Sequence, residues 1–314
     1  MSSRNVLATT ALTYATLVTS SAYAQPREPD SAAAVPEGVT VMDEVRFASV
    51  DGQDLVLDLY MPPDVVAPPL LVWVHGGGWS RGTHNRVSTF AFVEAGYALA
   101  SVGYRLSGVA PFPAQIQDLK GAIRFLRANA GAYGYDAERI GILGVSAGAH
   151  LAILAATTNG DDVLEGTIGG NLDQSSDVAA VVSYFGASNL TTILAQSTPF
   201  GLNVRVPALT GLYGGPPDER TELARLASPV FHVDASDPPL LLLHGDQDPQ
   251  MPINQSHEIH GVYKELGLDV HFEVVHGAGH GGGAFFDAER TALVQAFLDR
   301  NLRNYVSDAR RSGQ

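Results

Sequence analysis

The chain has 314 residues, 45% hydrophobic and 17% charged, with 19 basic side chains against 33 acidic ones for a formal net charge of −14. Such a composition belongs to a globular protein with ample material for a core, not to a disordered one. It contains no cysteine, which excludes disulfides, thiolate metal sites and a cysteine nucleophile, and it has no basic run, which argues against nucleic acid and anionic membrane surfaces as partners.

At the amino end, Arg4 precedes a weakly apolar stretch from Val6 to Val18, and Ala22-Tyr23-Ala24 ahead of Gln25 is the small-x-small pattern of a signal-peptidase site. The stretch is too short and too rich in threonine to span a membrane. These features predict a signal peptide over 1–24, export to a periplasm or the medium, and an unstructured Pro- and Ala-rich lead-in over 25–39. A single domain is expected over 40–304, followed by a flexible tail over 305–314.

Past the lead-in, strand-like and helix-like stretches alternate. Val41–Ala48 and Asp54–Tyr60 alternate in polarity around Asp51-Gly52, a hairpin signal. Leu70–Val74 is a solid apolar strand that ends at His75-Gly76-Gly77-Gly78-Trp79. Residues 85–95 read as a helix and Tyr97–Val102 as a strand. Ala114–Ala130 carries Ile116, Leu119, Ile123 and Leu126 at helical spacing. The strand Ile140–Leu143 follows, then Gly144-Val145-Ser146-Ala147-Gly148, then the helical pattern from His150 to Ala155. Val178–Phe185 and Pro239–Leu243 read as strands, 253–266 as a helix, Val270–Val275 as a strand and 287–302 as a closing helix. Residues 186–237 are the least regular part, with short helices expected on either side of Gly211–Pro217. They are read either as a lid or substrate wall or as a plain surface excursion. A hairpin followed by strand–helix alternation implies an α/β fold with a mostly parallel sheet and helices on both faces.

The chemistry starts at Ser146. A strand that stops at Gly-x-Ser-x-Gly and resumes as a helix is the layout of a nucleophile elbow, in which the glycines leave no Cβ where helix and strands come close. A serine hydroxyl needs a base within hydrogen-bond reach and a third group to orient that base. Carboxylates, Asp246 and Asp248, fall just past the strand ending at Leu243. Imidazoles, His276 and His280, fall just past the strand ending at Val275. Fixed N–H donors must also meet the charge that develops on a reacting carbonyl oxygen. Gly76-Gly77-Gly78 leaves backbone amides unobstructed, and the Ala147 amide beside the serine is the other expected donor. His75 and His244 read as histidines bonded to loop backbone and His150 as packed near the elbow. His276 and His280, four apart on a glycine loop, lack the shared helical face that would make them metal ligands. Trp79 reads equally as a wall of the acyl pocket or as a buried clamp on the glycine turn.

Together, HGGGW (His75–Trp79), GVSAGAH (Gly144–His150), HGDQDPQMP (His244–Pro252) and GAGH (Gly277–His280) resemble the α/β-hydrolase superfamily. Within it the chain resembles the esterase/lipase group related to hormone-sensitive lipase, especially its acetyl-xylan/feruloyl esterase-like (BD-FAE-like) branch. The likeness covers roughly residues 40–302. It implies an eight-stranded α/β-hydrolase sheet and a serine carboxylesterase with Ser146 as nucleophile, Asp248 as acid and His280 as base. Gly77, Gly78 and Ala147 would supply the oxyanion hole, and no cofactor or metal would be required. It also implies small-molecule or carbohydrate esters as substrates. Ala149 stands where lipase-related enzymes usually carry glycine, a spelling shared with formamidase-like and prenylcysteine-esterase-like relatives. The alternatives are an arylformamidase-like amide hydrolase, a prolyl-oligopeptidase-like peptidase, for which no propeller precedes the first strand, and a non-catalytic hydrolase-fold binding module.

Overall fold

The computed structural model describes residues 33–303. The expected signal peptide, most of the lead-in and the tail over 305–314 lie outside those residues. Ala33 is already tied down, its N–H donating to the Val87 carbonyl at 3.1 Å, and it packs with Val39 against the core.

The first two strands, β1 (Thr40–Val50) and β2 (Gln53–Met61), form an antiparallel hairpin. Asp51 and Gly52 both take positive φ, 52° and 82°, which a two-residue turn between right-twisted strands requires. Next come β3 (Pro69–Val74), the short helix α1 (Ala91–Glu94), β4 (Ala98–Val102), α2 (Ala114–Tyr133), β5 (Asp136–Val145) and α3 (Ala147–Ala156). The chain continues through α4 (Asp162–Glu165), β6 (Ala180–Tyr184), α5 (Ile193–Gln196), α6 (Pro199–Tyr213) and α7 (Thr221–Leu226). It closes with β7 (Leu240–Gly245), α8 (Asn254–Glu265), β8 (Val270–Val275) and α9 (Ala288–Leu298).

The eight strands make one sheet in the order β1-β2-β4-β3-β5-β6-β7-β8. β1, β2 and β4 pair antiparallel and β4 onward pair parallel. β3, β4, β6 and β7 are buried along their whole length, as a sheet covered on both faces demands. Their side chains alternate between the two faces. Leu70, Val72 and Val74 join Ile116, Leu119 and Ile123 of α2 and Leu151 of α3 in one core. Leu71 and Trp73 join Val93 of α1 and Val294 and Leu298 of α9 in the other. Each such aliphatic side chain contributes about 1.5–3 kcal/mol by leaving water, so the two cores fix the strand register.

Two expectations need correction. Residues 85–90 are not helical, and the helix there is only Ala91–Glu94. The Val87 carbonyl is taken by Ala33, and the Ala91 N–H is taken by the Thr89 hydroxyl at 3.2 Å, so tertiary and side-chain bonds replace the first helical turn. Residues 199–213, expected as irregular chain with short helices, form the 15-residue helix α6 despite Pro207 inside it. No helix among the described residues is long and apolar enough to cross a membrane.

Candidate active site

β5 delivers Ser146 to the carboxyl edge of the sheet. Its backbone lies at φ 53°, ψ −118°, a conformation that L-residues avoid and that a surrounding structure must hold in place. Three things hold it. The Ser146 N–H donates to the Tyr184 carbonyl at 2.9 Å, its carbonyl accepts from the His150 N–H at 3.1 Å, and the flanking glycines permit contacts no side chain could. A Cβ on Gly144 would overlap the Gly148 carbonyl, and one on Gly148 would overlap the carbonyls of Val74 and His75.

The Ser146 hydroxyl stands 2.8 Å from His280 Nε2, and His280 Nδ1 stands 2.6 Å from Asp248 Oδ2. The Nδ1–H therefore donates to the carboxylate and Nε2 is left to accept the serine proton. Asp248 is buried. Its Oδ1 accepts the N–H groups of Gln250 and Met251, each at 2.8 Å. Burial by itself would raise its pKa. Hydrogen bonds from His244, His280 and the Met251 amide outweigh burial and hold it well below the usual carboxylate range, so the acid is an anion. The loops after β7 and β8 are knitted together by the Gln247 N–H on the Ala278 carbonyl at 3.0 Å.

The competing acid and base pair with each other. His276 Nδ1 lies 2.8 Å from Asp246 Oδ2 at the exposed rim, and the Gly277 N–H donates to the other Asp246 oxygen at 2.7 Å. His75 Nδ1 is 2.8 Å from the Gly76 carbonyl, and burial pushes its pKa down to about 4, so the ring is neutral. His244 is bonded to the Met251 carbonyl at 3.0 Å and to the Ser256 hydroxyl at 2.7 Å, and its Nε2 also sits 3.4 Å from Asp248.

The glycine turn after β3 is braced from several sides. Gly77 and Gly78 take φ of 114° and 59°, and a Cβ on Gly76 would stand 2.9 Å from the Val145 carbonyl. Tyr104 stacks on His75 with ring centroids 4.3 Å apart and donates its hydroxyl to the His75 carbonyl at 3.0 Å. Trp79 is fully buried, and its Nε1 donates to His150 Nδ1 at 3.1 Å. His150 is also buried, kept neutral by desolvation with a pKa near 4, and its Nε2–H donates to the Ala227 carbonyl at 2.7 Å. Among the described residues, the N–H groups of Gly77, Gly78 and Ala147 donate to no backbone or side-chain acceptor. Among the same residues no cluster of three or more acidic or histidine side chains is placed to hold a metal ion.

Two neighbours of the site carried no sequence signal. Phe185, at φ 45°, sets its ring edge-on to His280 with centroids 4.8 Å apart. Arg205, on α6, is buried and close enough to Asp248 to feel its charge.

A mostly parallel eight-stranded sheet with Ser146 on the β5–α3 elbow, and His280 and Asp248 beyond β8 and β7, defines an α/β-hydrolase fold with a serine–histidine–aspartate arrangement at the carboxyl edge of its sheet. The chain belongs to the BD-FAE family, whose profile matches residues 57–263. It is similar to Esterase LipQ of Mycobacterium tuberculosis, at 32% identity over 232 residues, 69% of this chain and 51% of LipQ. The chain spans about half the length of the curated relatives it matches. Among solved structures it resembles a truncated carbohydrate esterase from gut microbiota, at TM-score 0.76 and 32% identity over 84% of this chain and 96% of that one. A bifunctional GH43-CE protein of Bacteroides eggerthii matches with TM-score 0.76 and 32% identity over 83% of this chain and 35% of that one.

Proposed function

We propose that this protein is an exported serine carboxylesterase that hydrolyses small acyl esters, including acetyl or feruloyl esters of plant polysaccharides. The observation that carries this reading is the unbroken relay from Ser146 Oγ to His280 Nε2 at 2.8 Å and from His280 Nδ1 to Asp248 at 2.6 Å, on an elbow whose serine is already in its strained conformation. In the proposed mechanism Ser146 Oγ attacks the ester carbonyl as His280 Nε2 takes its proton. Asp248 keeps the ring in the tautomer that makes Nε2 the acceptor and stabilises the imidazolium that forms. The charge on the carbonyl oxygen is met by the N–H groups of Gly77, Gly78 and Ala147. Donors of this kind contribute about 3–4 kcal/mol each to catalysis in other enzymes. His280 then protonates the departing alkoxide, and a water deprotonated by the same nitrogen hydrolyses the acyl-enzyme. Trp79 serves as a clamp on the oxyanion turn through His150.

Residues 186–237 act as a fixed substrate wall in this reading. Gln255 Oε1 accepts the N–H groups of Ser188 and Asn189, at 3.0 and 2.8 Å, and the Phe112 N–H holds the Leu212 carbonyl at 2.8 Å, so the segment is tied at its start and at its middle. Carbohydrate esters are favoured by the likeness to a carbohydrate esterase from gut microbiota. Export rests on the signal-peptide pattern ending at Ala24.

Hydrolysis of 4-nitrophenyl acetate by wild type and its loss in Ser146→Ala test the activity; inert wild type, or a fully active variant, would sink it. Fluorophosphonate labelling that persists in Ser146→Ala would reassign the nucleophile. A panel of acetylated xylan, methyl ferulate and N-formylkynurenine separates ester from amide chemistry. Cell fractionation and amino-terminal sequencing test export.

A further inference from the structure

Helix α6 crosses the rim of the site. Near one end a Cβ on Gly201 would lie 3.1 Å from the Pro249 carbonyl on the acid loop, and Thr198 bonds that same carbonyl at 3.2 Å. Further along, Ala208 Cβ is 3.7 Å from where a Cβ on Gly78 of the glycine turn would be. The inward stripe of the helix is Gly201, Arg205 and Leu209, so Arg205 sits between the acid loop and the oxyanion turn. It is only 2% exposed, yet among the described residues its Nε and Nη1 meet no acceptor. Asp248 is near enough to favour its charge but has its oxygens occupied by two amides and the histidines. Desolvation pulls the guanidinium down to about 10, so it remains a cation at neutral pH.

A buried cation without a hydrogen-bonded partner costs stability that an anion would return. We propose that Arg205 receives a carboxylate borne by the substrate, making this a site for esters that carry a negative charge close to the scissile bond. The inference rests on the esterase reading of the Ser146 site. In a chain of net charge −14 the overall field repels anions, so a dedicated cation is what admits one. A planar guanidinium, whose Nε/Nη2 and Nη1/Nη2 edges each present paired N–H groups, matches a carboxylate in geometry as well as in charge.

Two matched pairs of esters test this, each rate being divided by that of spontaneous hydrolysis. 4-Acetoxybenzoate against its methyl ester places the charge on the alcohol side. 4-Nitrophenyl hemisuccinate against 4-nitrophenyl methyl succinate places it on the acyl side. Wild type should favour the charged member of one pair by about tenfold or more in kcat/KM. Arg205→Gln should lose that ratio and Arg205→Lys should keep part of it, and the pair that responds tells which side carries the charge. No preference in either pair, or a preference that survives Arg205→Gln, overturns the proposal. Equal losses on charged and neutral members would do so too, making Arg205 a positioning group for Asp248. If Arg205→Gln does not fold, the wild-type ratio and its decline in Arg205→Lys decide. If no ester at all is hydrolysed, the esterase reading fails separately. Benzoate or succinate raising the Tm of wild type but not of Arg205→Gln would then still support the anion site, and no rise in wild type would overturn it.

Discussion

Gly148 lies directly against the end of β3, where a single added methyl group would overlap the Val74 carbonyl oxygen. Both partners are backbone, so neither can move aside without shifting the elbow or the strand that leads to the glycine turn. Gly148→Ala should therefore cost at least about 3 kcal/mol and most of the activity, read by urea unfolding and 4-nitrophenyl acetate hydrolysis. A variant with wild-type stability would refute the tight packing of elbow on strand.

In the proposed mechanism Asp248 acts through His280, 2.6 Å away, and removing its charge while keeping its shape tests that role. Asp248→Asn should lower kcat about 1,000-fold or more, because the amide can stabilise the wrong tautomer of the ring. The acid's pKa is lower in the folded protein than in the unfolded chain. Its contribution to stability is thus complete above about pH 4, the ordinary carboxylate value, and disappears as pH falls through the lower folded value. Urea unfolding of wild type and Asp248→Asn should differ most at neutral pH and converge in strong acid. An unchanging difference down to strong acid would contradict the ionised assignment.

Trp79→Phe keeps an aromatic ring but withdraws the donor from His150 Nδ1 and removes the pyrrole half of a fully buried side chain, which adds a cavity cost. The buried nitrogen then lacks its partner, at a cost of about 1–3 kcal/mol. Thermal unfolding checks the cost. Loss of kcat with little change in KM would locate the effect in the oxyanion turn, and unchanged stability would exclude the clamp.

His75 and His150 are both held neutral by burial, with pKa values near 4, below the unfolded value of about 6.5. Between those values the unfolded chain binds protons that the folded one refuses. Stability should fall as pH drops through this window and stop falling on their account below it. The decline between pH 7 and 5 should be shallower in His150→Asn. An equal slope in both proteins would mean that His150 is not buried neutral.

Much of the sheet was legible because its strands are short apolar runs stopped by glycine, proline or aspartate, and β8 falls where the alternation ends at Val275. That Ser146, Asp248 and His280 would meet was legible for the same reason, each lying one or a few residues past such a run. What escaped depends on contacts between distant segments. Residues 85–90 have a helical composition but surrender a carbonyl to Ala33, and α6 hides its stripe behind Gly201, Pro207 and Gly211. Arg205 and Phe185 had no local pattern at all, since their meaning comes from the loops they face. Asp246 and His276, the other candidate acid and base, pair with each other at the exposed rim of the same two loops.

The contact between Ser146 and His280 joins residues 134 apart in the chain, across β6, β7 and β8. The strands from β5 to β8 lie between that hydroxyl and that imidazole and must pair for the two to meet as they do. Loop closures of this span are slow and come late in folding. Regain of esterase turnover after dilution from denaturant should therefore lag behind early helical circular dichroism and coincide with completion of the sheet, so that the reaction clocks the last step of the chain's own assembly.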